Sequence, residues 1–299
     1  MHLNIQQLIA NGPVLVDGAW GTEFQKWGLA AGDCADAWNL ERPERVEGVG
    51  RAYVEAGSRV ILTNTFRANR VALAGYGLAR DVAEINRAGV EISRRAAGDR
   101  AQVFGLIGPS GKLLLTKEVS EGELCDAFLE QARVLAVSGA DALIVETMSD
   151  LAEARLAVAA ARATGLPVVA CMSFDSGRNK DRTMMGATPE QAARELTAAG
   201  ADVVGANCGQ GIEGYVGICR RMRAATNRPI WITPNAGLPE FEGGRAVYKT
   251  TAAEFAAAAP GLVTAGAAFV GGCCGTTPEF IRALARTLSE STGPNLACA

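Results

Sequence analysis

The chemically most capable residues in this chain are three cysteines, Cys208 in GANCG and the adjacent pair Cys273–Cys274 in GGCCGTTP. Adjacent residues of a regular strand point to opposite faces. Cys273 and Cys274 can therefore reach one ion only if the chain turns there, which glycines on both sides permit. Three thiolates with a fourth position open form the ligand set of a catalytic zinc ion, not of a closed structural one. The competing reading is a tight glycine-rich turn whose cysteines are incidental or disulfide-linked. Two carboxylates occupy comparable places, Asp17 in DGAWGT and Glu146 in VETM. Together they could receive an ammonium group; singly, each could serve a salt bridge or cap a helix. A carboxylate pair also suits glycoside hydrolysis. That reading leaves the cysteines unexplained and has only four Trp and four Tyr for stacking sugars.

The histidine count narrows the chemistry. The chain has one histidine, His2, at its N-terminal end, so a Ser-His-Asp triad, a Cys-His pair or a histidine-ligated metal has no histidine within the fold to use. Chemistry falls to thiols, carboxylates, amides, hydroxyls or an added cofactor.

These residues need a scaffold, and the patterning supplies one. Short apolar runs at 14–19, 59–65, 103–108, 141–147, 167–173, 202–207, 229–235 and 267–272 read as eight strands. Helix-period segments lie between them at about 43–56, 81–95, 120–138, 150–164, 188–199, 212–225, 251–259 and 277–290. Ser120 with Glu123 predicts a capping box, and Thr277-Pro278 a helix start. Strict alternation of continuous apolar strands with helices predicts a parallel sheet covered by helices. Eight units predict an α/β fold, a (β/α)8 TIM barrel, as a single domain over 1–299 with its core at about 10–290. A doubly wound open sheet is the runner-up, but DGAWGT does not match the dinucleotide-binding glycine pattern.

In such a barrel the site lies at the C-terminal ends of the strands. There the sequence gathers Asp17-Gly18, Asn64-Thr65, Gly108 to Gly111, Glu146-Thr147, Asn207-Cys208-Gly209, Asn235 and Cys273-Cys274. Strands six, seven and eight are neighbours, so Cys208 approaches the cysteine pair with Asn235 between them. GLIGPSGK misses the phosphate-loop spacing and reads as a strand-to-loop turn. Arg67 and Arg70 read as solvated or helix-associated. The loop 237–249 could cover a ligand or lie on the surface.

The composition sets outer bounds. The chain has 299 residues, 48% hydrophobic and 20% charged, with a formal net charge of −3. It contains no basic block, so no nucleic acid is expected as a partner. The N-terminus lacks a signal-peptide pattern, and no apolar run reaches the roughly 18–20 residues that span a bilayer. A cytoplasmic protein with no membrane association is the expectation. The eight cysteines, Cys34, Cys125, Cys171, Cys208, Cys219, Cys273, Cys274 and Cys298, are expected to be reduced, with Cys171 in VVACMSF packing in the core.

Taken together, DGAWGT (17–22), TNTF (63–66), GPSG (108–111), ET (146–147), SFDSGRNKDRTMMG (173–186), GANCG (205–209), TPNAG (233–237) and GGCCGTTP (271–278) resemble the homocysteine S-methyltransferase family. The resemblance is collinear over roughly 10–290. It implies a (β/α)8 barrel with zinc on Cys208, Cys273 and Cys274. It further implies that Asp17 and Glu146, with backbone groups around Gly18 and Ala19, hold the amino-acid end of homocysteine. Asn235 would lie beside the metal and occupy its open position before substrate arrives. The implied reaction moves a methyl group to homocysteine, giving methionine. No histidine of this chain can bind cobalamin. The GGCCG ending resembles the homocysteine domain of cobalamin-dependent methionine synthase, so the implied donor is methylcobalamin or a separate methyl-corrinoid protein. Betaine and S-methylmethionine are alternative donors, and a homocysteine- and zinc-binding subunit inactive without a corrinoid partner is a further alternative.

Overall fold

Strands with apolar residues on both faces need cover on both sides, and the chain provides it. The computed structural model describes residues 3–242 and 245–291. His2 and Cys298 lie outside them. The strands are β1 (Val14–Leu15), β2 (Val60–Leu62), β3 (Gln102–Ile107), β4 (Ala142–Met148), β5 (Val168–Met172), β6 (Val203–Gly211), β7 (Ile230–Asn235), the hairpin pair β8 (Glu240–Glu242) and β9 (Arg245–Val247), and β10 (Ala267–Val270). The helices are α1 (Ile5–Ile9), α2 (Trp20–Lys26), α3 (Trp38–Glu41), α4 (Pro43–Ala56), α5 (Arg70–Ala74), α6 (Val82–Ala97), α7 (Glu121–Val137), α8 (Leu151–Arg162), α9 (Pro189–Ala198), α10 (Ile212–Ala225), α11 (Ala252–Thr264) and α12 (Pro278–Ser291).

Eight strands form one parallel sheet in the order β1-β10-β7-β6-β5-β4-β3-β2. The parallel bridge Val16–Val60 and the bond from Arg59 N to Leu15 O (2.9 Å) join its two edges. The sheet is therefore a (β/α)8 barrel, and the open doubly wound alternative falls away. Inward-facing residues fill it: Trp231 stacks between Phe104 and Phe269 at 5.9 and 5.0 Å. Cys171 is buried in the same cluster, as expected of a packing residue. Ile5 of α1, a helix that the apolar patterning did not mark, joins this cluster.

Outside the barrel, helix starts follow the sequence signals. Ser120 and Glu123 form the capping box of α7, and Pro278 opens α12. The helix expected over 251–259 instead runs through Pro260 to Thr264, starting from a Thr251–Glu254 capping box. The loop 237–249 carries the antiparallel hairpin β8–β9; residues 243–244 within it lie outside the described residues. Arg70 pairs with Glu130 on the surface, as expected of a helix-associated arginine.

The barrel is irregular at two places that matter for function. The β4–β5 register shifts between Val145 and Met148, and the β6–β7 register between Cys208 and Gly211. β6 consequently extends past the expected end at 207 and carries Cys208 within it. Thr147 and Cys208 both have φ of 60°. A non-glycine residue there costs about 1–3 kcal/mol and persists only where its surroundings hold it.

Candidate metal and substrate site

The irregularities re-aim side chains toward one point. Cys208 turns its sulfur to 3.9 Å from Cys274 Sγ. The sulfurs of Cys208, Cys273 and Cys274 all lie within 4.8 Å of one another. The cysteine pair reaches this point because the chain turns at once after β10. Thr276 N and Thr276 Oγ1 both donate to Cys273 O (3.1 and 2.7 Å), and Gly275 takes φ of 81°. A Cβ on Gly275 would lie 2.2 Å from the Tyr248 ring, so only glycine fits. β7 clamps the turn from the other side: Cys273 N donates to Pro234 O (2.8 Å), and Ala236 N donates to Cys274 O (2.9 Å). None of the seven described cysteines forms a disulfide.

A cavity of about 440 Å³ opens above the sulfurs. Asp17, Gly18, Ala19, Glu146, Thr147 and all three cysteines line it, together with Trp20, Thr22, Asn64, Phe66, Arg67 and Tyr76. Arg67, read from sequence as solvated or helix-associated, is exposed, donates to Tyr76 OH (2.8 Å) and forms part of this wall. Asn235 lies behind the wall. Its Nδ2 donates to Gly209 O (3.0 Å), while its Oδ1 is buried without a hydrogen-bond partner.

The carboxylates are buried and electrostatically unsettled. Burial pushes Asp17 up to about 7, although Leu62 N and Trp20 Nε1 each donate to its Oδ2 at 2.7 Å. Burial, with the nearby Asp17 and Cys208, pushes Glu146 up to about 8. A buried carboxyl held neutral in this way ionises when a cation arrives. Asp17 thus joins β1, β2 and α2 as well as reaching the cavity. Ala19 is similarly committed, its N–H donating to Thr276 Oγ1 (3.2 Å) and its carbonyl accepting from Tyr53 OH (2.7 Å). At Gly18 a Cβ would lie 2.6 Å from Thr276 Oγ1, so glycine lets the first strand end meet the cysteine turn.

The sulfurs divide their charge unevenly. Hydrogen bonds from Cys208 and Cys273 hold the Cys274 thiol well below its ordinary value, and Tyr248 adds a further bond. The bonds to Cys208 and Cys274 hold Cys273 well above its own. Three thiol sulfurs are a donor set that suits zinc, and the separation of one pair can be compared with what that ion requires. Sulfurs about 2.3 Å from a tetrahedral zinc lie about 3.8 Å apart, close to the 3.9 Å between Cys208 and Cys274.

Residues 14–288 match the family model for homocysteine S-methyltransferase. The chain belongs to the homocysteine S-methyltransferase family. Betaine–homocysteine S-methyltransferase 1 of Danio rerio is 32% identical over 310 residues, covering 97% of this chain and 76% of that one. Methionine synthase of Mycobacterium tuberculosis is 31% identical over 297 residues, covering 93% of this chain and 25% of that protein. The chain thus spans about a quarter of the length of the methionine synthases it matches. Among solved structures, the metallated form of the Escherichia coli homocysteine methyltransferase MmuM superposes with a TM-score of 0.77 at 23% identity, covering 92% of this chain and 96% of that one. Its oxidised form gives 0.79 at 23% identity, covering 95% and 99%. These structural matches share the barrel fold.

Several residues around the cavity make contacts that spacing did not assign. Asn207 and Thr147 were visible only as polar strand ends, although Asn207 adjoins Cys208 in sequence. Tyr215 OH contacts the carbonyls of both Asn207 and Cys208 at 2.9 Å. Nothing in the helix-period pattern of 212–225 marks this contact, because the tyrosine also occupies a core position.

Proposed function

We propose that this chain transfers a methyl group to the sulfur of homocysteine, giving methionine, with zinc held by Cys208, Cys273 and Cys274. The observation that carries the reading is the convergence of three sulfurs, all within 4.8 Å, on the floor of a cavity whose wall holds Asp17 and Glu146. Zinc bound there keeps a coordinated thiol deprotonated at neutral pH, where a free thiol is mostly protonated. Asn235 ends β7, the strand that clamps the cysteine pair, and its unpartnered buried Oδ1 would take the open position on the metal before substrate arrives.

The chain's own residues do the rest. Glu146 and Asp17 receive the ammonium group of homocysteine, which draws both carboxyls into their charged forms. Gly18 brings the first strand end against the cysteine turn, and the backbone around Gly18 and Ala19 flanks the amino-acid end. The substrate sulfur is thereby aimed at the three cysteines, with the outer cavity open to a methyl donor. No histidine base is required.

For the donor, the reading is a methyl-corrinoid protein or methylcobalamin, supplied from outside these residues. Two methionine synthases match the chain over a quarter of their length, which leaves the delivery of the methyl group to other parts of such proteins. The same reading takes residues 1–299 as one homocysteine-binding barrel domain. Incubation with homocysteine and methylcobalamin, betaine or S-methylmethionine, with and without a corrinoid protein, tests it. Methionine from a corrinoid donor is expected. Methionine from betaine or S-methylmethionine alone replaces the donor assignment, and no methionine from any donor leaves only a homocysteine- and zinc-binding subunit.

A further inference from the structure

Asn207 is fully buried, and both ends of its amide are engaged. The Thr147 N–H can only donate, so the atom facing it at 2.7 Å is Asn207 Oδ1. That fixes Nδ2 toward Thr147 Oγ1 at 2.7 Å and Cys273 Sγ at 3.9 Å. One planar group therefore touches the Glu146–Thr147 step of β4 and the cysteine turn after β10. Its base is fixed too, because Ser173 Oγ donates to Asn207 O (3.1 Å) and Tyr215 OH reaches the same carbonyl.

Both ends need such an anchor. Thr147 is β-branched yet takes φ of 60°, a conformation bulky residues avoid. Its hydroxyl accepts from Asn207 and so keeps its own proton for an acceptor in the cavity it lines. At the other end, with Cys273 bound to a metal as a thiolate, the N–H facing its sulfur at 3.9 Å would withdraw part of its negative charge.

We propose that Asn207 is a positioning residue that ties the amino-acid end of the cavity to its sulfur end, through Thr147 on one side and Cys273 on the other. The proposal rests on the reading of the three cysteines as metal ligands. Partners of this kind, one step behind the ligands, typically change metal affinity 10- to 100-fold when removed.

Cobalt(II), added to the metal-free full chain, tests this without any methyl donor. Wild type is expected to show thiolate-to-cobalt bands that shift when homocysteine is added. Asn207→Asp keeps the acceptor for Thr147 N but loses the donor to sulfur. It is expected to bind cobalt about 10- to 100-fold more weakly, with bands moved to lower energy and a raised Kd for homocysteine. Thr147→Gly relieves the backbone at φ of 60°. In that background Asn207→Ala removes the sulfur contact without also releasing a strained turn, and the band shift is expected to persist. Bands, cobalt affinity and homocysteine Kd all unchanged in Asn207→Asp overturn the proposal alone, as does a double variant whose spectrum equals that of Thr147→Gly. A wild type without thiolate-to-cobalt bands overturns the metal reading itself, and the proposal with it.

Discussion

Cys208 Sγ and Cys274 Sγ lie 3.9 Å apart although 66 residues separate them in the chain. Two distortions bring them together, the left-handed backbone at Cys208 and the turn at Gly275. These two distortions aim the sulfurs at one point. Cys208→Ala leaves two sulfurs, too few for the proposed site. Its zinc content, measured on the purified protein, is expected to fall from about one equivalent to near zero. Methionine formation is expected to drop by more than about a hundredfold, since even loss of a ligand's hydrogen-bond partner costs up to that much. A variant that retains stoichiometric zinc and full rate would sink the metal assignment.

In the proposed function the carboxylates of Asp17 and Glu146 receive the amino-acid end of the substrate. Burial holds Asp17 at about 7 and Glu146 at about 8, and only their ionised forms attract an ammonium group. 2-Aminobutyrate, which has the amino-acid end of homocysteine without its thiol, isolates this effect from the metal. Its Kd is expected to fall about tenfold or more between pH 6 and pH 8. Trp20 offers a fluorescence readout, since it lines the cavity and donates to Asp17 at 2.7 Å. Glu146→Gln is expected to weaken binding at pH 8 and to flatten the pH profile. A wild-type Kd independent of pH would rule out these carboxyls as the ammonium site.

The barrel was legible because its strands are continuous apolar runs separated by helix-period segments. Only the bridge Val16–Val60 was needed to decide between closed and open sheets. The cysteines were legible because GANCG and GGCCGTTP place them at strand ends flanked by glycine. What escaped the sequence depends on backbone irregularity. Period-two reasoning assumes a regular ladder, and at Thr147 and Cys208 the ladder breaks, so the aim of those two side chains cannot be counted out from residue spacing. Asp17 shows a different limit. Its type and place mark it for the cavity, but its bonds to Leu62 N and Trp20 Nε1 depend on partners brought in by folding. The passage of α11 through Pro260 was hidden because proline ordinarily ends or kinks a helix.

Two glycines separate positional need from composition. Gly275 has φ of 81°, and an added Cβ would meet the Tyr248 ring at 2.2 Å. Gly217 lies in α10 with nothing within 4 Å of an added Cβ. Gly275→Ala is expected to destabilise the chain by about 2 kcal/mol or more and to weaken cobalt binding, because strain and overlap fall on the cysteine turn. Gly217→Ala is expected to stabilise it by about 0.5–1 kcal/mol through helix propensity. Urea denaturation of both variants measures the contrast. Equal and small effects would show that the turn tolerates a side chain.

The buried carboxyls also make stability depend on pH in a definite direction. An exposed glutamate ionises near its ordinary 4.5, whereas Glu146 in the folded chain holds its proton to about 8, first because of burial and then because of the nearby Asp17 and Cys208. Between those values the native state binds more protons than the unfolded state, so unfolding free energy falls as pH rises. The loss is complete only above the folded value. Asp17 adds to the same trend between its ordinary 3.8 and about 7. Glu146→Gln removes the larger of the two shifts while keeping side-chain size. In the metal-free, reduced chain the variant is expected to be more stable than wild type above pH 8, on the order of a few kcal/mol. The advantage is expected to shrink steadily toward pH 5, where native Glu146 is protonated and the unfolded chain's preference for the charged form has largely faded. Urea midpoints at pH 5, 7 and 9 give the slopes. Parallel slopes for the two proteins would mean that Glu146 is not held neutral in the folded state, and would remove the basis for its response to a cationic substrate.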